Sequence, residues 1–434
     1  MKMIRKNLWI PALLSSIKNK LLKKFNNCKQ HLNTKFSDSD CILSGIALYH
    51  LKYSSLLQFN RDKNQSLAFK NFKNLYLVND VPSDTRFRDR LDEIDSNKLK
   101  TLFGHLISKL QDSKVLSSYK LLDKTIHIAM DGTGHYHSTN INCENCCTNH
   151  HKDDKVSYYH DALSAVIVSP YEKVVFPIGV EAIKKEDGSN KNDCELNAGK
   201  RLIQDIRTAH PSMNIRIILD ALYLNGPFIN KLINHNIGFI ITAKESHQKY
   251  LFNAFNNCDN KETHIIIENN IEHRFQYAHD LPLNHSHQNI LLTFINYQSI
   301  SITDNKILFA SSWATDVKVN KDNILLFTQV ARSRWHIENQ TFNSLKNQGY
   351  NFEHNFGHGK KNLCTNMLIL MFIAFAIDQI QQATSKYFQK ALEARQSKKA
   401  LWCQAYAKFT NCAYDSWQTF YEALSTINIT FNTS

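Results

Sequence analysis

No acidic residue occurs among the first 37 positions, which carry Lys2, Arg5, Lys6, Lys18, Lys20, Lys23, Lys24, Lys29 and Lys35. A segment of one sign cannot neutralise itself, so it is either a solvated helix face or an arm for a polyanion. The start MKMIRKNLWIPALLSS has only a short apolar patch, holds Pro11 and lacks a small-residue cleavage site, so a signal peptide is not expected. The apolar run MLILMFIAFAI at 367–377 falls short of the ~20 residues that span a bilayer. It reads as a buried helix, and no membrane partner is expected. No internal repeat or low-complexity tract is present.

What is present suits a folded, soluble chain of two or three domains: 434 residues, 43% hydrophobic and 21% charged. An excess of 52 Lys+Arg over 39 Asp+Glu leaves a formal +13, which favours a polyanionic partner, nucleic acid first. Ten cysteines without secretory features argue for a reducing compartment and against a disulfide framework. A cytoplasmic location is expected.

Residues 1–120 read as a helical N-terminal region. DSDCILSGIALYHLKYSSLLQF has helical apolar spacing, and Pro82, Ser83 and Asp84 form a helix start. From 121 the texture changes. KTIHIAMD is a short strand ending in Asp131; YYHDALSAVIVSP and KVVFPIGVEAI are two more. A helix over CELNAGKRLIQDIRTAH, a strand NIRIILD ending in Asp220, a helix GPFINKLINHN and a strand IGFIITAK follow. This order predicts an α/β layer with a mixed sheet over 121–244. Residues 245–320 are strand-rich without strong helical periodicity and read as a β insertion; helix returns at about 322 for a second part of the core, 321–385, followed by a helical segment, 386–434.

Within that late helix, RSRWHIENQTFNSLKN places two charges oddly. On a helical wheel Phe327, Val330, Ala331, Ile337, Thr341, Phe342 and Leu345 share one side, and Arg332, Ser333, His336, Asn339, Gln340 and Asn343 the other. Arg334 and Glu338 fall in the middle of the apolar side, so they need partners inside the protein. Asp131 and Asp220 each close an apolar strand, where sites form in open α/β sheets. Two such aspartates and an inward glutamate can hold two divalent cations, Mg²⁺ or Mn²⁺ by ligand type, for in-line displacement at a phosphodiester. The competing reading is a buried Arg334–Glu338 pair that ties helix to sheet.

The stretches MDGTGHYHS, CENCCTNHH, SYYHDAL, KNDCELNAGKRL and RWHIENQTFNSLKNQGYNFEHNFGHGKKNL, with LSGIALYHLKYSSLLQF and NLYLVNDVPSDTRFRDRLDEID upstream, resemble bacterial insertion-sequence transposases over about residues 37–380. These are DDE transposases with an R-x3-E signature and an RNase H-like core. The resemblance implies that Asp131, Asp220 and Glu338 are the catalytic metal ligands and that Arg334 lies near the metals or the DNA backbone. It implies that the β insertion helps to hold the element's ends. Where the better-known signature has tyrosine and lysine, this chain has Ala331 and Leu345, with Lys346 one residue later as a candidate phosphate contact.

Cys143, Cys146, His151 and His160 give C-x2-C-x4-H-x8-H, a donor set suited to structural Zn²⁺ in the Cys/His loop 135–160. Cys147, His150, His135 and His137 are substitute ligands, and reduced cysteines in a polar loop are the alternative. Lys360 and Lys361, with His354 and His358, are further candidate phosphate contacts. Trp313 is either a base-stacking residue or, more in keeping with its strand, a buried one. The expected protein is thus a DNA transposase acting on element ends and target DNA as a dimer on DNA. The rivals are an RNase H-like nuclease or domesticated recombinase, and a metal-stabilised DNA-binding protein with an idle triad.

Overall fold

A computed structural model describes residues 6–25, 36–143, 146–151, 155–188 and 191–426. It is a mixed α/β protein: a helical N-terminal region, a large mixed sheet and C-terminal helices. The basic residues Lys2, Arg5, Lys29 and Lys35 lie outside the described residues.

The first helices are α1 (Ile10–Phe25), α2 (Asp38–His50), α3 (Leu56–Asp62), α4 (Ser66–Tyr76), α5 (Asp84–Glu93) and α6 (Ser96–Asp112). Ser37 and Asp40 form a capping box that starts α2, and Ser55 caps α3, so the stretch expected to be helical from 38 to 59 divides at the turn between them. The helix start at Asp84 is as expected.

Strands β1 (Lys120–Leu121), β2 (Thr125–Ser138), β3 (Cys147–His150), β4 (Val156–Ser169) and β5 (Glu172–Ile183) precede helix α7 (Lys191–Ala209). Strand β6 (Ile215–Leu219), helix α8 (Gly226–Asn234), strand β7 (Gly238–Ala243) and helix α9 (Lys249–Asn256) follow. Four long strands come next: β8 (Glu262–Glu268), β9 (Ile271–Pro282), β10 (Leu291–Ser301) and β11 (Ile307–Thr315). All eleven strands form one sheet, in which β5, β4, β2, β6 and β7 are successive neighbours. The β2–β6 and β6–β7 pairs are parallel and the β2–β4 and β4–β5 pairs antiparallel. The strand-rich segment continues the same sheet, because β11 pairs antiparallel with β7. Helix α9 is the one element in 245–320 that its periodicity did not announce; it buries only Leu251 and Phe255 against the sheet.

Strand β2 does not end at Asp131 as its sequence suggests. Its parallel partner β6 stops at Leu219, but its antiparallel partner β4 keeps supplying hydrogen bonds, so β2 runs on to Ser138.

The chain then forms α10 (Ile324–Arg332), a turn at 333–334, a π-helical segment (Ile337–Phe342) and α11 (Asn343–Asn347). The last helices are α12 (Leu363–Thr384), α13 (Lys386–Arg395), α14 (Lys398–Asn411) and α15 (Trp417–Ser425). Helix α12 is long and apolar enough to cross a membrane by length and composition, and 89% of its apolar window is buried in the fold. It packs against α2, α5, α6 and β5 and so joins the helical layer to the sheet. N- and C-terminal helices share one core: Trp417 Nε1 donates to Leu75 O at 2.7 Å and Asn71 Nδ2 to Phe409 O at 2.7 Å.

Candidate carboxylate site and Cys/His centre

Parallel pairing sets the first two carboxylates side by side. Ala129 lies opposite Ile218, and continuing that register by two residues brings Asp131 beside Asp220, where β6 ends and β2 runs on. Both side chains also bond locally: Asp131 Oδ1 accepts from Gly132 N at 3.0 Å, and Asp220 Oδ1 accepts from Leu222 N at 3.0 Å.

The third carboxylate arrives on the π-helical segment, which packs across β2, β4 and β5. The apolar residues of the wheel behave as expected, since Phe327, Val330, Ala331, Ile337, Thr341, Phe342 and Leu345 are all buried. Ser333, assigned to the polar side, is buried too, its hydroxyl donating to Val330 O at 2.6 Å. The turn at 333–334 and the wider π turn break the uniform rotation that a wheel assumes. As a result Glu338 sits at the rim, its side chain 45% exposed, while Arg334 reaches in. Arg334 Nη1 donates to Asp131 Oδ2 at 2.7 Å and Nη2 to Glu338 Oε1 at 3.1 Å.

Burial pushes the Asp131 carboxyl above its usual range; Arg334 opposes this, and the charges of Asp220 and Glu338 add to it. Asp131 therefore feels both other carboxylates as well as the one guanidinium beside it, an excess of negative charge that suits a divalent cation. They are not drawn into a tight cluster, because Arg334 is wedged between Asp131 and Glu338.

A fourth carboxylate borders this site. Tyr223 donates its hydroxyl to Glu195 Oε1 at 2.9 Å, and Glu195 Oε2 would stand 2.9 Å from a Cβ at residue 132. Gly132 follows Asp131 because that space is taken. Trp335, next to Arg334, is 65% exposed. Neither Glu195 nor Trp335 announces itself in sequence: one lies on an ordinary amphipathic helix, and the other was overshadowed by its charged neighbours.

The cysteines gather beyond the far end of β2. Cys143 Sγ lies 3.6 Å from Cys146 Sγ, and His160 Nε2 is 3.4 Å from the first sulfur and 3.2 Å from the second. The fourth member is His358: the ligand atoms of Cys143, Cys146, His160 and His358 all lie within 4.8 Å of one another. This Cys2His2 group could hold a metal such as zinc. His151 is not in it. Its Nε2 pairs with Ser157 Oγ at 2.8 Å, because the β3–β4 pairing turns it away from the cysteines. Burial keeps His160 neutral, lowering its pKa to about 3, and also lowers that of His358. Burial pushes the Cys146 thiol up to about 12.

No family model matches the chain, and no curated protein does.

The remaining candidates scatter. Lys346 pairs with Glu353 at 2.9 Å, and the signature positions Ala331 and Leu345 are core residues. Lys360 and Lys361 have exposed side chains on a loop whose backbone is held by Asp92: the carboxylate accepts from the amides of residues 360, 361, 362 and 363 at 2.9–3.0 Å. Cys147, a substitute zinc ligand by sequence, instead directs its thiol to Ile183 O. His135, another, lies near Cys364 Sγ at 3.4 Å. His354 packs on Phe356. Trp313 is buried, with Phe327 edge-on to it.

Proposed function

We propose that the chain is a DDE-type DNA transposase of the insertion-sequence kind, built on an RNase H-like core. The observation that carries the reading is the meeting of Asp131 and Asp220, on neighbouring parallel strands, with Glu338 from a later helix through Arg334. The succession β5–β4–β2–β6–β7, three antiparallel strands followed by two parallel ones, supports the core. The formal charge of +13 suits DNA.

Asp131, Asp220 and Glu338 would hold Mg²⁺ or Mn²⁺. Those cations supply activation of the attacking oxygen and stabilisation of the leaving oxygen. Arg334 orients Asp131 and Glu338 and carries positive charge toward the bound phosphate. Lys346, Lys360 and Lys361 would contact the DNA backbone, and exposed Trp335 offers a face on which an unpaired base can stack. The reaction is hydrolysis at the element's ends, releasing a 3′ hydroxyl that displaces a 3′ oxygen of target DNA in a direct exchange of phosphodiesters. Two ends act together, which calls for a dimer on DNA, in the cytoplasm beside the nucleoid.

One observation favours a second reading, a DNA-binding protein with idle carboxylates: Arg334 bonds both Asp131 and Glu338, as a purely structural tie between helix and sheet would. Labelled DNA carrying the gene's flanking ends, incubated with Mg²⁺ or Mn²⁺, separates the two. Wild-type protein should nick the ends and join them to target, while Glu338→Gln should bind equally and lose at least about 100-fold in both steps, the equivalent of about 2.7 kcal/mol of transition-state stabilisation. Equal behaviour of the two proteins would favour the idle triad. Nicking without joining would favour a nuclease.

A further inference from the structure

We propose that Cys143, Cys146, His160 and His358 bind one zinc ion, and that this ion fastens the segment leading out of the Glu338 helix to the β2–β4 strand pair that carries Asp131. The inference is independent of the transposase reading, since it rests on a different set of side chains.

Geometry is the first argument. Zinc bonds of about 2.3 Å to sulfur and 2.0–2.1 Å to nitrogen, in a tetrahedron, put two sulfurs about 3.8 Å apart and sulfur and nitrogen about 3.5 Å apart. The distances here are 3.6 Å between the sulfurs and 3.4 and 3.2 Å from sulfur to His160 Nε2. Thiols and imidazoles in mutual hydrogen bonds could approach as closely, so a second observation is needed. His358 supplies it: both ring nitrogens are buried and neither has a hydrogen-bond partner. A buried ring nitrogen without a partner costs about 1–3 kcal/mol, which a metal–nitrogen bond removes for the one that ligates. The ring is also oriented for the centre, edge-on to Tyr136 at 4.3 Å and 5.2 Å from the ring of His160.

Topology says what the ion would do. His160 is paired across the sheet with Tyr136 of β2, and Cys143 and Cys146 lie in the connection from β2 to β3. His358 comes from the connection between α11 and α12, whose α12 end, just after His358, is held by Asp92. A metal therefore closes a link between the strand of Asp131 and the chain that follows Glu338. Four protein ligands leave no open coordination position, which marks the centre as structural rather than catalytic.

The test is metal content of the full chain purified without chelator, and the absorption of a cobalt-substituted sample. Wild-type protein should carry about one zinc per chain, and Co²⁺ should give the visible bands and thiolate charge-transfer band of a tetrahedral site. Cys143→Ser and His358→Ala should each weaken zinc by more than about 100-fold, beyond the 10- to 100-fold typical of groups one shell out. His358→Cys, which preserves a donor, should retain the metal and the wild-type thermal midpoint, so that loss in the alanine variant is not mistaken for misfolding. His151→Ala should bind zinc as wild type does. Absence of stoichiometric zinc from wild-type protein together with no tetrahedral cobalt spectrum would overturn the proposal. Full retention of zinc by His358→Ala, with loss in His151→Ala, would overturn it too.

Discussion

Arg334 Nη1 lies 2.7 Å from Asp131 Oδ2, joining residues 203 positions apart, while Nη2 of the same guanidinium is 3.1 Å from Glu338 Oε1. One cation thus balances two carboxylates from different elements, which is also the task of a bound metal.

Removing that cation should expose the repulsion it offsets. Arg334→Ala is expected to lower stability by about 1–2 kcal/mol in metal-free buffer, the lower end for charge-assisted hydrogen bonds because the pair is partly solvated. Urea unfolding measures it. Added Mg²⁺ should narrow the deficit, because it replaces the lost positive charge; a deficit indifferent to Mg²⁺ would argue that no cation binds there.

Asp131 makes a prediction about pH. Burial raises its carboxyl above the ordinary 3.8, despite Arg334 and with help from Asp220 and Glu338. The stability tied to its protonated form is complete below 3.8 and lost as pH rises through the raised value. Asp131→Asn, neutral at every pH, should therefore unfold at higher urea than wild type at neutral pH in the absence of metal. The gap should close toward pH 3.8, and a constant gap would contradict the assignment.

Asp92 should behave in the opposite sense. Burial alone would raise its carboxyl, but amide donors from Lys360, Lys361, Leu363 and Asn362 outweigh burial and hold it below 3.8. Its contribution is present above 3.8 and lost as pH falls through the lowered value. Asp92→Ala should cost about 1–3 kcal/mol and speed hydrogen exchange at the amides of 360–363, which lie just after His358. Unchanged exchange there would show that the loop is held by other contacts.

Deeper in the helical layer, Asp378 of α12 accepts from Lys52 Nζ at 2.7 Å and pairs with His50 Nε2 at 3.0 Å, all three side chains being buried. Lys52 also lies over the rings of Tyr350 and Trp402. Asp378→Ala leaves the ammonium buried without its counter-ion and should destabilise the fold by about 3–5 kcal/mol. Asp378→Ala combined with Lys52→Met should recover much of that loss in thermal unfolding; no recovery would mean that packing, not charge, dominates the position.

Local patterns were enough to place most elements in this chain. Period-two and period-three-to-four spacing of apolar residues located β4 to β7, the strands from β8 to β11 and the long helices, because those periods follow from backbone geometry alone. Asp131 and Asp220 stand out as acids that close apolar runs, and Arg334 and Glu338 as charges on the apolar side of a helical wheel; the structure turns Arg334 inward but leaves Glu338 at the rim, because the turn at 333–334 and the π segment break the wheel's uniform rotation. Contacts between distant segments decided the rest. Strand β2 outruns Asp131 because β4 bonds it past the end of β6, and His358 displaces His151 at the Cys/His centre because the chain after α11 folds back onto the β2–β4 strand pair. Spacing along a sequence can propose ligands only from one neighbourhood. Which imidazole completes a tetrahedron depends on how separate parts of the chain meet, and only the packed structure determines that.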